Sequence, residues 1–598
     1  MNKGIRVWTT RAVIAALCGF FAVAETAPAQ VIEPRIETLD NGLKLILVER
    51  HEQPVFAGCV VYDVGSVNDP RGSSGIAHMF EHMLFKGSRI IGTTDYEAEN
   101  VLIEQEEKLR ERMNAEMDKM RLMKRRGEIA DVLEPNQWTA EYAAMKREFD
   151  GLAEKHKAFI KKDELSSLYT TNGGAGLNAG TSDDFTIYFV QLPINKLELF
   201  FWLESDRMQN GVMREYYTER DNVREERRLR VESTPTGRLD EAFDALFWQA
   251  HPYGIPVLGW ASEVESITAQ DCRDFYAIYY APNNARVVLV GDFDSNKVVD
   301  YAKKYFGRVP RGKQAPKPVI TEEPMPVAER RLNGEAESNP RVTLRYRGVA
   351  VGHADEAALE VASQLLSGKT GRLYKRLIAK EEAAIGQPFA ANSTQKYAGY
   401  FQVAATVKEG NTPENVERML VEEVDRLGAG EITEYELQKV KNQVLADSIQ
   451  RIRNNTGLMF QLALLDTWYK WEHLNEGPKR MLAVTADDVR RVVKAYLDPK
   501  TRTVAIYRTK EGGGGSGDAD LSAALAGIPA EAQAQVKAAL QRIKEQKDGE
   551  KLKAQIEMMS KGLESGQAPE QQRVVLEIML KALKARAAEL EAPNKESK

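Results

Sequence analysis

The run His78-Met-Phe-Glu-His82 constrains this chain more than any other stretch. Ala77 to Phe85 contains neither glycine nor proline, so a helix is its natural conformation. At about 3.6 residues per turn, His78 and His82 stand one turn apart on one face, with Glu81 in the same sector. Two imidazoles so placed can hold one metal ion, and the carboxylate between them can reach a metal-bound water. Two ligands do not complete a site. The fold must bring a third donor to this helix from elsewhere in the chain.

A chain of 598 residues is too long for a single ordinary core and suggests about two to four domains. Hydrophobic content of 43% and charged content of 28% describe a globular protein. The formal charge of −6 gives no basic footprint for nucleic acid. Residues 1–29 read as an export signal: Lys3, Arg6 and Arg11 precede the apolar run Ala12–Ala24, and Ala27-Pro-Ala29 offers a cleavage site, with Ala22-Val-Ala24 as an alternative. That apolar run is short for a bilayer span, and no later run is long and apolar enough to cross one. The mature chain is therefore expected to be periplasmic or secreted, without a membrane span. Of the cysteines, Cys59 and Cys272 would remain, and such a distant pair reads as buried free thiols.

Read in order, Leu39 to Val48 is a turn and a strand, and Val55 to Val64 is a second β-rich run; together they lead into the glycine-rich loop 72–75 and the histidine helix. Residues 95–170 change texture. Leu102, Leu109, Met113, Met117 and Met120 form one helical stripe, and Trp138, Tyr142, Met145, Phe149, Leu152, His156 and Phe159 form another, as in an antiparallel helical pair with an apolar seam. His156 belongs to that seam, as packing. After Asn172 a strand over Phe185–Val190, helices over Lys196–Met208, Glu215–Val231, Arg238–Gln249 and Cys272–Tyr280, and a strand over Ala285–Gly291 suggest an α+β domain with helices on an antiparallel sheet. Prolines 310, 316, 318, 324 and 326 punctuate a linker. Beyond it the order strand, helix, strand, helices, strand repeats without the insert, so two similar domains are expected. The expected boundaries are 30–308 and 329–510, joined by 309–328; the flexible run Gly512–Gly517 then leads to a helical tail, 518–598, with stripes such as Leu552/Ile556/Met559/Leu563.

The third donor is sought in Tyr216-Tyr-Thr-Glu-Arg-Asp-Asn-Val-Arg-Glu-Glu-Arg-Arg228, which offers Glu219, Glu225 and Glu226. Glu219 and Glu226 lie two turns apart on one face, so one can ligate while the other supports; spacing alone does not choose.

The motif is the reversed form of the commoner zinc-protease helix. With Leu39-Asp-Asn-Gly-Leu43, Gly75 to Gly87, Leu177-Asn-Ala-Gly-Thr-Ser182 and Glu219 to Glu226, the chain resembles the pitrilysin/insulinase family of zinc peptidases over roughly residues 35–510. The resemblance implies one zinc ion held by His78, His82 and Glu226, with Glu81 as general base and Glu219 orienting one of the histidines. It also implies an edge strand at Asn178 and Ala179 that takes up an extended peptide, and two homologous domains forming half or all of a clamshell.

Two departures stand out. His82 and Glu226 are separated by 143 residues, more than the family usually has, and the helical insert accounts for the excess. That insert could narrow the chamber mouth or dock a partner. The Arg and Tyr with which active relatives hold the substrate carbonyl fall on Ile378 and Ile385, although a small alignment slip would bring in Arg372, Tyr374 or Arg376. The expectation is therefore a peptidase whose site a homologous subunit carrying that pair completes, as a heterodimer or else a homodimer. The alternative is a non-catalytic peptide-binding or assembly subunit.

Overall fold

The computed structural model describes residues 31–430 and 432–510, the helix Gly549–Glu564, and scattered positions between 536 and 587. The expected export signal and the Gly512–Gly517 linker lie outside the described residues.

Strands β1 (Arg35–Thr38), β2 (Lys44–Glu49), β3 (Val55–Tyr62), β4 (Ala175–Thr181), β5 (Thr186–Pro193) and β6 (Ala285–Gly291) form one sheet in the order β1-β2-β6-β3-β5-β4. A second sheet holds β7 (Arg330–Ala336), β8 (Arg341–Gly348), β9 (Ala384–Thr394), β10 (Gly399–Val407) and β11 (Thr503–Thr509) in the order β7-β11-β8-β10-β9. Setting β1 aside, the two orders superimpose strand for strand, so the domains are homologous in topology. Each sheet departs from the expected all-antiparallel pattern at one place, where β2 pairs with β6 and β7 with β11 in parallel. The first and last strands of each repeat are joined through the whole intervening domain, which lets them run the same way.

Alternation along the central strands divides the first domain's core. Val60 and Tyr62 of β3, Leu45 and Leu47 of β2, and Val287 and Leu289 of β6 pack with Met79 and Phe80 of the histidine-bearing helix, hereafter the motif helix, Ile76–Met83. Ala57, Cys59, Val61, Ile46, Val288 and Val290 face the other way. That second face is covered from the second domain, by Leu458, Met459, Leu462 and Ala463 of the helix Asn455–Trp468. Arg286 clasps the same junction, bonding Asp63 at 2.9 Å and Asp466 at 2.9 Å, while Lys44 reaches Asp466 at 2.7 Å. Cys59 and Cys272 are buried free thiols.

The insert consists of helices Tyr96–Arg125 and Ala140–His156, capped by the side chains of Asp95 and Thr139, followed by Glu164–Thr171. Leu109, Met113, Met117 and Met120 meet Tyr142, Met145 and Phe149 in the seam, while Ile103 is buried where Leu102 is only half-buried. His156 is buried as expected, but its surroundings are polar: Nδ1 lies 3.1 Å from Glu106 and Nε2 3.0 Å from Glu99. Glu99 also receives the guanidinium of buried Arg214, which donates to the carbonyls of Ser88 and Ile91 just after the motif helix.

The proline-rich linker has no helix or strand, yet it is pinned. The Glu323 carboxylate accepts from the backbone N–H groups of Gln249, Ala250 and His251 at 2.8–2.9 Å and pairs with Arg347. In the tail, Ile543, Leu552 and Leu583 bury one another, a small cluster packed on itself. Among the described residues no helix is long and apolar enough to cross a membrane.

Candidate active site

The motif helix begins where two loops touch. Gly75 has φ +89°, and a Cβ there would stand 3.0 Å from the backbone of Gly259, so glycine is required at the contact. Asp69 caps the helix by accepting from the N–H groups of Gly75 at 2.7 Å and Ala77 at 3.1 Å. Buried His78 and partly buried His82 then project side by side, with ring centroids 4.9 Å apart.

The helix Tyr216–Arg227 supplies the carboxylates. Arg220 and Arg227 anchor its far side: Arg220 donates to the Glu265 carbonyl at 2.8 Å, and Arg227 to Glu241 at 2.7 Å and the Gly259 carbonyl at 2.6 Å. Held this way, the helix turns Glu219 and Glu226 toward the motif helix. Glu226 Oε2 lies 3.1 Å from His82 Nε2 and 3.7 Å from His78 Nε2, and the three donor atoms fall within 4.8 Å of one another. Among the described residues this is the group of such donors placed to hold a metal ion. Two imidazole nitrogens and a carboxylate oxygen form a donor set that suits zinc, with room left for a water.

Around this set lie groups that fix its orientation. Glu219 Oε2 stands 3.6 Å from His82 Nδ1, and its other oxygen receives Lys86 at 2.7 Å and Asn222 at 3.0 Å. The second oxygen of Glu226 is paired with Arg230 at 2.8 Å. Burial, then the neighbouring His82, pushes His78 down to about 4, leaving a neutral imidazole fit for ligation. Burial acts against the charge on His82 as well, yet Glu219 and Glu226 outweigh it and raise that histidine to about 9, a measure of the negative field a dication would meet. Glu225 points away and pairs with Arg228 at 2.8 Å. Lys86, Asn222 and Arg230 were not identified from the sequence; Lys86, four residues after His82, was the one within reach.

Glu81 lies beside β4; burial raises its pKa, and the nearby Thr181 offsets this only in part. Among the described residues β4 is the outer strand of its sheet and pairs only with β5. The N–H of Ala179 turns away from β5 and is occupied by the side chain of its own neighbour, Asn178 Oδ1, at 2.9 Å. An open backbone edge thus runs past the carboxylate.

The structure does not bring Ile378 and Ile385 to this site as polar groups: Ile378 packs on the second domain's core, and Ile385 lies in β9 opposite Thr406. Of the possible stand-ins, Arg372 pairs with Glu436 at 3.0 Å, and Arg376 with Glu422 and Glu423, all within the second domain.

The family model described as Insulinase (Peptidase family M16) matches residues 44–123, which include the motif helix, and the model described as Peptidase M16 inactive domain matches residues 266–444. The chain belongs to the pitrilysin/insulinase (M16) family. The zinc protease PqqE of Helicobacter pylori is 26% identical over 80% of this chain and 94% of its own. The beta subunit of the mitochondrial-processing peptidase of Saccharomyces cerevisiae is 23% identical over 49% of this chain and 66% of its own. Among solved structures, a protease from Helicobacter pylori superimposes with a TM-score of 0.65 at 25% identity, covering 80% of this chain and 99% of that one. The periplasmic protease PqqL from Escherichia coli superimposes with a TM-score of 0.60 at 17% identity, covering 81% of this chain but 48% of that one.

Proposed function

We propose that this chain is an exported zinc-dependent endopeptidase that hydrolyses peptides or unfolded polypeptides and works with a homologous subunit. The observation that carries the reading is the convergence of His78, His82 and Glu226 donor atoms within 4.8 Å, beside Glu81 and an open strand edge. The three residues would hold one zinc ion per chain, which when bound supplies an acidified water and a polarised carbonyl. Glu219 holds His82 through Nδ1 so that Nε2 faces the metal position. Glu81 takes a proton from the attacking water and returns it to the leaving nitrogen, and its raised pKa suits a group that must do both. The substrate backbone lies along β4 as an added strand, with Asn178 withdrawing from the Ala179 N–H.

Partner dependence rests on Ile378 and Ile385, which offer no hydrogen bond to a developing oxyanion, a contribution worth about 3 kcal/mol where it has been removed. It is supported by the PqqL structure, in which the part matching this chain is 48% of the whole. Export is supported by the composition of residues 1–29 and by a structural neighbour described as periplasmic. The same two isoleucines favour a second reading, a non-catalytic peptide-binding or assembly subunit, as does the match to a domain described as inactive.

Metal analysis with cleavage of a quenched fluorescent peptide, by wild type and Glu81→Gln, alone and with a homologous chain that carries the Arg/Tyr pair, decides among these. Undiminished cleavage by the variant would remove Glu81 from its role. Equal rates with and without the second chain would remove the partner. Zinc-loaded protein inert in both settings would favour the binding subunit.

A further inference from the structure

The second domain contains a cavity of about 540 Å³ that the peptidase reading does not use. It lies between the helix Glu356–Leu366, strand β9, and the helices Glu434–Arg451, Asn455–Trp468 and His473–Ala483. Its size is that of a small-ligand cleft, and Val351, Leu464, Leu465 and Met481 give it apolar walls.

The polar groups on those walls are underused. His473 is buried; its Nε2 lies 3.2 Å from Glu356, and its Nδ1 has no hydrogen-bond partner among the described residues. Asn392 Oδ1 and Trp468 Nε1 are buried and unpartnered in the same sense. Glu360 accepts from Gln364 at 3.0 Å, and burial holds its carboxyl above the usual range. A buried polar group left without a partner is destabilising, so three around one cavity call for something that satisfies them. Asn392 Oδ1 and Glu360 are acceptors, His473 Nδ1 accepts when the ring proton sits on Nε2 toward Glu356, and the indole N–H of Trp468 is a donor. A primary ammonium beside a carbonyl oxygen answers that set. Arg451 and Lys479, exposed residues on the same lining, answer a carboxylate.

We propose that this cavity binds a free apolar amino acid or short apolar peptide, its ammonium group on Glu360, Asn392 and His473 and its carboxylate toward Arg451 and Lys479. The proposal holds whether or not the metal site hydrolyses peptides. L-leucyl-L-leucine is the probe, titrated into the full-length protein while the indole ¹H–¹⁵N resonance of Trp468, assigned with Trp468→Phe, is followed. A saturable shift is expected. N-acetyl-leucyl-leucine, which has no ammonium group, should bind at least tenfold more weakly, and Glu360→Gln should weaken the dipeptide at least tenfold while leaving zinc content and Tm unchanged. No saturable shift at millimolar dipeptide, equal binding of the acetylated probe, or unchanged affinity in Glu360→Gln would show that the orphaned groups hold water alone and would overturn the proposal.

Discussion

Glu219 and Glu226 take His82 from two sides: Glu226 Oε2 lies 3.1 Å from Nε2, and Glu219 Oε2 lies 3.6 Å from Nδ1. In the proposed function the first contact marks a metal-ligand position, and the second carboxylate orients the His82 ring so that Nε2 faces it. Glu219→Gln is therefore expected to lower zinc affinity by about 10–100-fold, the usual loss when such a supporting carboxylate is altered. Competition with a chelator measures it. Unchanged affinity would reduce Glu219 to a partner for Lys86.

Glu81→Gln should keep zinc at wild-type stoichiometry, because Glu81 is not among the converging donors. Its turnover should fall by about 10²–10⁴-fold, the span associated with losing a general base. Metal content and kcat on the same preparation separate the two effects.

Ala179→Pro removes an N–H that faces away from β5, so the sheet pairing is spared. If β4 receives the substrate backbone, KM for a long peptide should rise about tenfold, roughly one lost hydrogen bond plus the bulk of the ring, with Tm nearly unchanged. A matching rise for a dipeptide-sized substrate would count against an added strand.

The insert's brace should respond to pH. Burial disfavours the charge on His156, but Glu106 and Glu99 outweigh it and raise the pKa from 6.5 to about 9. Glu99 is held down from 4.5 to about 2, His156 and Arg214 together outweighing burial. The raised histidine stabilises the fold fully below 6.5 and loses that contribution as pH rises through about 9; the lowered carboxylate contributes above 4.5 and loses it as pH falls toward about 2. The pairing is one interaction and counts once. Thermal unfolding should show an alkaline decline that His156→Leu abolishes, with a loss of about 3 kcal/mol near neutrality from the carboxylates left buried.

Much of this arrangement was legible in the residues. The motif helix, the strand Ala285–Gly291 and the two-helix insert carry clean periods, and each period reports one buried face. Strand β9 did not show, because Gly386, Pro388 and Asn392 interrupt the apolar pattern of an edge that one neighbour supports. The helix Asn455–Trp468 did not show either: it is pressed between two surfaces, so Leu458, Leu462, Leu464 and Leu465 point several ways and leave no stripe. Glu99 and Arg214 read as solvated charges, since nothing in a single sequence reveals that one answers the other across more than a hundred residues. At the site, the residue types pointed to His78, His82 and Glu226, whose donor atoms converge, whereas Arg230 and Asn222 carry no spacing signal and are placed there by the fold.

The helix Asn455–Trp468 gives the repeat an asymmetry of ownership. By its place in the chain, between β10 and β11, it belongs with the second sheet, yet the first sheet cannot close its outer face without it. Separating the two domains would strip Ile46, Val61, Val288 and Val290 to water and orphan Arg286 from Asp466. The smallest piece that keeps His78, His82 and Glu226 on a fully covered sheet is thus the pair of domains, so two units alike in topology are not separable in packing.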